Sequence, residues 1–187
     1  MELNNIINNI CPLSADINKL MCQHFEHLDL QKGTIILSAD KTEKHLYFVK
    51  NGLVRAFTDF EGQEVTFWFG TEGQPIIPMN SYVYNKKNYE NIELLEDCSL
   101  YKIEIIKLQK LYKEYKEIAN WGRILAEKEL VATERRLITR ISMQAKDRYL
   151  ELLAQHPNLL QRAALRHIAS YLGITQVSLS RIRAQIK

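Results

Sequence analysis

The chain has 187 residues, 46% hydrophobic and 25% charged, with a formal net charge of +3, which suits a packed core in one large domain or two small ones. No stretch reaches the roughly 18 apolar residues of a membrane span, so no membrane partner is expected. Cys11, Cys22 and Cys98 are too few and too scattered for a disulfide framework, and no CxxC occurs to hold zinc or an iron–sulfur cluster.

A reducing cytoplasm is the expected location, with no cofactor and no metal. The start, Met1-Glu2-Leu3-Asn4-Asn5, lacks an apolar run after a basic one, so no secretory signal is expected. Residues 1 to 24 read as a short helical lead-in. Ser14 is placed to cap the segment Leu13 to Leu20, whose apolar spacing is helical.

From His27 to Ile103 the pattern changes to short strands. Leu46-Tyr47-Phe48-Val49, Leu53 to Thr58 and Val65 to Phe69 alternate with glycine turns at Gly33, Gly52, Gly62 and Gly73. Evenly spaced short strands suggest a jelly roll or barrel, and Asn51-Gly52 is the strongest hairpin signal. Trp68, Tyr82, Tyr84 and Tyr89 either line a pocket or fill the core.

From Ile105 onward the chain reads as helix. Ile105 to Tyr115 is one amphipathic piece, and Glu117 to Ser142 is a longer one with Gly122 as its single breaker. Ile124, Val131 and Ile138 recur every seven residues beside Leu130, Leu137 and Ile141, a pattern that predicts a dimer seam. Glu127 and Glu134 hold the companion positions, so the zipper is imperfect, and a helix laid along the barrel is the alternative. Gln144 to Gln155 is a further helix, ended by His156-Pro157-Asn158.

The stretch from Leu165 to Ala184 reads as a helix-turn-helix. Ala169 is small enough for close helix approach, Gly173 suits a turn with positive φ, and Thr175 is a good N-cap. Ile168, Leu172, Ile174, Leu179 and Ile182 would lock the two helices together. The second helix would present Gln176, Val177, Ser178, Ser180, Arg181 and Arg183, with Lys187 at its end. Gln can bond adenine, Arg guanine, Ser a base or phosphate, and Val can touch a thymine methyl. From Ile141 to the end, seven basic residues meet only Asp147 and Glu151, about +5, leaving about −2 for residues 1 to 140. Basic charge at one end is the footprint of a DNA module joined to a different module.

A strand-rich sensor, a long helix and a terminal helix-turn-helix, in that order, resemble the Crp and Fnr family of transcription regulators. The most specific residues are Ile168-Ala169-Ser170-Tyr171-Leu172-Gly173-Ile174-Thr175 and Ser178-Leu179-Ser180-Arg181-Ile182-Arg183. Leu46 to Arg55, Glu61-Gly62 and Gly70 to Gln74 echo the sensor. The resemblance implies a cyclic-nucleotide-binding jelly roll, a homodimer along the long helix and a palindromic operator. It places a phosphate contact at Thr175 and base contacts at Gln176, Val177 and Arg181. The family's cyclic-AMP regulators usually carry Arg-Glu where this chain has Gln176-Val177, so a different operator is expected. The chain stops at Lys187, and no β-hairpin wing is expected.

The family's nucleotide pocket uses a Gly-Glu turn and an Arg-Ser or Arg-Thr pair. Here those places hold Ile77-Pro78-Met79-Asn80 and Lys87-Asn88-Tyr89-Glu90, and no Arg lies between Arg55 and Arg123. Cyclic AMP is therefore not the expected effector. Lys86, Lys87, Asn88 and Tyr89 are the candidate effector residues, although a lysine does not replace a bidentate arginine fork.

The expected fold class is α+β: an N-terminal β jelly-roll barrel, a long connecting dimerisation helix and a C-terminal helix-turn-helix. The expected divisions are a sensor over 1–115, the dimerisation helix over 116–142 and a wingless DNA-binding domain over 143–187. The expected function is sequence-specific transcription regulation without catalysis, with double-stranded DNA, a second copy, RNA polymerase and a small-molecule effector as partners. One alternative is a ligand-binding jelly roll whose helix pair serves protein contacts. Another is a cupin-like metal enzyme, which would need a histidine cluster that His24, His27, His45, His156 and His167 do not spell.

Overall fold

The computed structural model describes residues 1–186; Lys187, expected at the end of the last helix, lies outside the described residues. Two helices lead in, α1 (Leu3–Ile10) and α2 (Ala15–Cys22). Ser14 precedes α2 as expected, but its hydroxyl and amide both donate to the Glu117 carboxylate, at 3.0 and 2.9 Å, so it ties two helices together instead of capping one.

The strands are β1 (Glu26–Leu30), β2 (Ile35–Leu37), β3 (His45–Asn51), β4 (Val54–Phe60), β5 (Gln63–Gly70), β6 (Pro75–Ile76), β7 (Asn91–Leu94) and β8 (Cys98–Glu104), with the short helix α3 (Met79–Tyr84) between β6 and β7. They form two antiparallel four-stranded sheets, ordered β1-β8-β3-β6 and β2-β7-β4-β5. The first sheet is buried on both faces. Tyr47, Val49 and Leu100 pack between the sheets, while Leu46, Phe48, Tyr101 and Ile103 pack against the flanking helices. This explains why Leu46 to Val49 is a continuous apolar run where a one-sided strand would alternate. The second sheet gives Val54, Ala56, Ile92 and Leu94 to the shared core.

Asn51-Gly52 is not a hairpin. β3 and β4 lie in different sheets, and the dipeptide is the corner where the chain crosses between them. Gly52 has φ of +121°, and a Cβ there would come 2.3 Å from Cys98 Sγ, so the corner needs glycine for space and for conformation. A hairpin forms instead at Glu61-Gly62, joining β4 to β5, with both residues at positive φ as its primed-type turn requires.

Two helices follow, α4 (Ile105–Glu114) and α5 (Lys116–Ser142). Ile118, Trp121 and Leu125 bury one face of the first half of α5, and Trp121 Nε1 donates to the Ile7 carbonyl at 2.9 Å. Gly122 does not break α5; it makes room for Tyr112, whose ring would lie 2.7 Å from a Cβ there. Beyond Leu125 the helix leaves this core, so α5 is both a helix laid on the β domain and an open apolar stripe.

The chain ends in α6 (Ala145–Gln155), the short α7 (Leu159–Arg162), α8 (Leu165–Leu172) and α9 (Gln176–Ile186). Their core of Tyr149, Leu152, Leu159, Ile168, Leu172 and Leu179 continues into Leu53, Phe69 and Leu95 of the β domain. The chain is thus mixed in class, with two antiparallel sheets and a long helix. No helix among the described residues is long and apolar enough to cross a membrane.

Candidate nucleic-acid interface

The turn between α8 and α9 is closed by its own backbone. Gly173 adopts φ of +67°; its N–H bonds the Ser170 carbonyl and the Ile174 N–H bonds the Ala169 carbonyl, both at 3.0 Å. This Schellman arrangement satisfies carbonyls that the end of α8 would otherwise leave free. Two cations reinforce it. Arg148 donates to the Leu172 carbonyl at 2.8 and 3.0 Å, and Arg140 of α5 donates to the Tyr171 carbonyl. Positive charge suits the carbonyl end of a helix. A Cβ at Gly173 would also lie 2.6 Å from the Arg140 guanidinium.

The start of α9 is capped as its sequence suggests. Thr175 Oγ1 accepts the Ser178 N–H at 3.1 Å. Leu179 is fully buried and pins α9 to the rest of the C-terminal core. On the other side Gln176, Val177, Ser180 and Arg181 are exposed, at positions that share one face of a helix, while Ser178 and Arg183 are partly covered. No carboxylate among the described residues lies within ion-pair distance of Arg181 or Arg183. The structure therefore brings the sequence-predicted DNA residues onto α9 and its N-cap; Thr175 and Ser178 bond each other there, while Gln176, Ser180 and Arg181 face solvent.

The candidate effector residues are not gathered in the same way. Lys86, Lys87 and Tyr89 are exposed, whereas Asn88 is buried. Asn88 Oδ1 accepts from the Ser81 hydroxyl at 2.8 Å and the Ser81 amide at 3.3 Å, while its backbone pairs with Asp40 and Lys41. Asn80 donates to the Lys87 carbonyl. The segment closes on itself. Asn88 Nδ2 and Glu90 Oε2 are left buried without a partner, and burial pushes the Glu90 carboxyl above its ordinary range. Tyr82 bonds Tyr112, Tyr84 and Tyr89 face solvent, and Trp68 packs against the core between the sheets. A cleft of about 260 Å³ lies elsewhere, between Ile6, Pro75 and Leu125.

Two arginines carry weight that sequence reading missed. Arg162 bridges Glu72 and Glu96, and these hydrogen bonds raise its pKa further above the ordinary arginine value. Arg55, buried on the outer face of the second sheet, bonds Glu93 at 2.7 Å and Glu64 at 2.5 Å. The run Val54-Arg55-Ala56, a charge inside an apolar strand, was the available signal.

Residues 27–115 match the cyclic nucleotide-binding domain family. No curated protein matches the chain by sequence. Among solved structures, FixK2 from Bradyrhizobium japonicum is similar at a TM-score of 0.76 and 19% identity, over 87% of this chain and 84% of that one. CLP, the c-di-GMP responsive global regulator of Xanthomonas campestris, is similar at a TM-score of 0.73 and 16% identity, over 92% and 91%. A protein of Eubacterium rectale described as belonging to the crp/fnr family of regulators matches at 0.73 and 19%, over 93% and 85%. At these identities the likeness is one of fold.

Proposed function

We propose that this chain, with its cyclic nucleotide-binding domain at residues 27–115, is a homodimeric, sequence-specific regulator of transcription that reads double-stranded DNA with α9. The observation that carries the reading is the bare polar face of α9. Gln176, Val177, Ser180 and Arg181 stand exposed beside one another, with Thr175 capping the helix start and no acidic residue after Glu151. No carboxylate among the described residues neutralises its two arginines, and laying the face in a major groove pairs them with base edges and phosphate. α8 and α9 then form the helix-turn-helix, Thr175 meets phosphate, and Arg181 and Gln176 read bases.

Dimerisation has its own support. Leu130, Val131, Leu137, Ile138 and Ile141 are exposed along the second half of α5, Leu130 at 70% and Ile141 at 75%. An apolar stripe of this length on a helix suits a matching stripe on a second copy. Two α9 helices related by a two-fold axis must stand about 34 Å apart to meet successive major grooves, so the operator is palindromic. On this reading the protein is a cytoplasmic regulator that contacts RNA polymerase and is not an enzyme. The self-closed segment from Asn80 to Glu90 supports an effector other than cyclic AMP, because an anionic phosphate would find Glu90 and no arginine there.

The test is a comparison of wild type with the double substitution Arg181→Ala and Arg183→Ala on genomic DNA fragments over a salt series. The substitution is expected to weaken binding by at least about tenfold and to flatten its salt dependence. Unchanged binding and an unchanged slope overturn the reading and leave the helix pair as a module for protein contacts.

A further inference from the structure

α8 is docked on the β domain, and the dock is directional. The Ser170 hydroxyl accepts the Thr66 N–H at 2.9 Å and donates to the Glu64 carbonyl at 2.9 Å. Both are backbone groups of β5, and β5 is the edge strand of its sheet. One side chain on a helix therefore takes the two bonds that a further strand would take. Tyr171 packs beside it against Phe69, the rings tilted by 55° with centroids 5.3 Å apart. Below lies Arg55, which also reaches Thr66 Oγ1 at 3.3 Å. Farther along, Arg162 holds Glu72, which follows β5, and Glu96, which follows β7.

Apolar contact alone would hold α8 to the sheet without fixing its register, because burial is non-directional. The hydroxyl is different. A slide of one residue along β5, about 3.3 Å, breaks both of its bonds. α5 reaches the same helix pair through Arg140 and the Tyr171 carbonyl. The position of α9 is thus set from two sides.

We propose that the outer edge of β5 is a docking rail that Ser170 engages in a single register, and that Ser170 is a positioning residue for DNA recognition. The β domain then shares with α5 the task of placing α9. β5 pairs with β4, and β4 with β7, which directly follows the Asn88 to Glu90 segment. A change in that segment is two strand pairings from the rail. The effect on DNA rests on the reading of α9 as a recognition helix in a dimer; the dock itself does not.

Two measurements on the full chain separate these parts. Amide hydrogen exchange is compared for wild type, Ser170→Ala and Ser170→Thr. Alanine favours helix, so the fold is retained. Protection of the Thr66 amide is expected to fall about fivefold to tenfold in Ser170→Ala and to return in Ser170→Thr. An unchanged Thr66 amide overturns the dock. The same three proteins are then used to select from a randomised duplex DNA library. Wild type and Ser170→Thr are expected to enrich an inverted repeat at one half-site spacing, and Ser170→Ala the same half-site at several. One unchanged spacing in Ser170→Ala overturns the positioning role. If wild type enriches no sequence, the DNA reading of α9 falls, while the Thr66 amide still decides the dock.

Discussion

The exposed face of α9 and the segment from Pro78 to Glu90 are both rich in polar side chains, and they dispose of them in opposite ways. On α9, Gln176, Ser180 and Arg181 point into solvent. Between Pro78 and Glu90, Asn80, Ser81 and Asn88 spend their hydrogen bonds on one another and on nearby backbone. A surface that keeps its donors free is ready to meet a partner without first breaking internal bonds. A segment that has spent most of them internally, with Asn88 Nδ2 and Glu90 Oε2 left buried and unpartnered, must give up those bonds before it can hold a ligand. The contrast separates a polar face open to solvent from a polar segment that has closed on itself.

The largest expected effect comes from reversing charge on the open face. Arg181→Glu is expected to weaken binding to a selected duplex by about a hundredfold or more, since it removes a base contact and adds repulsion from phosphate. Fluorescence anisotropy reads this, and the melting temperature should stay where it was because Arg181 is exposed. Next comes the closed segment, where the expectation is reversed. Asn88→Ala removes the acceptor of the Ser81 amide and leaves the Ser81 hydroxyl only the Lys86 carbonyl to donate to, and is expected to cost about 1–3 kcal/mol in urea unfolding, with DNA affinity unchanged. An Asn88→Ala protein of wild-type stability would remove the contrast.

A smaller measurement sharpens it from the ligand side. Cyclic AMP at millimolar concentration is expected to leave the melting temperature unmoved. A rise of several degrees, such as a ligand at about a hundred times its Kd would give, would show that the segment opens to nucleotide. The smallest effect concerns pH. His167 of α8 is buried, and desolvation, with Arg55 and Arg166 nearby, lowers its pKa below the ordinary 6.5. The unfolded chain therefore takes up this proton first, so the contribution is present above pH 6.5 and is lost as pH falls through the lowered folded value. Urea midpoints should drop between pH 7.5 and 5.5, and His167→Gln should shrink that drop.

Much of this was legible in the sequence because it is local. Gly173, Ala169 and Thr175 each answer a demand made within a few residues, a positive φ, a close approach or a free N–H, and the structure meets each demand as written. The apolar stripe from Leu130 to Ile141, which the structure leaves exposed, was legible for the same reason. What failed was long-range. Asn51-Gly52 carries hairpin chemistry, yet which sheet each flanking strand joins is decided by partners far along the chain. Arg162 read as one more basic residue, since nothing near it announces Glu72 or Glu96. Of the candidate effector residues only Asn88 is drawn inward, and its partner, Ser81, lies across the loop.

The hydroxyl on β5 has a further consequence, for solubility. An edge strand with bare N–H and C=O groups is a template on which other chains can add as strands. Here Ser170 covers one such pair and Tyr171 shields the adjoining Phe69. The helices that would read DNA thereby act as a guard against aggregation of the sheet they sit on. A protein cut back to its β domain and long helix would lose that guard, and its first failure would be self-association along β5.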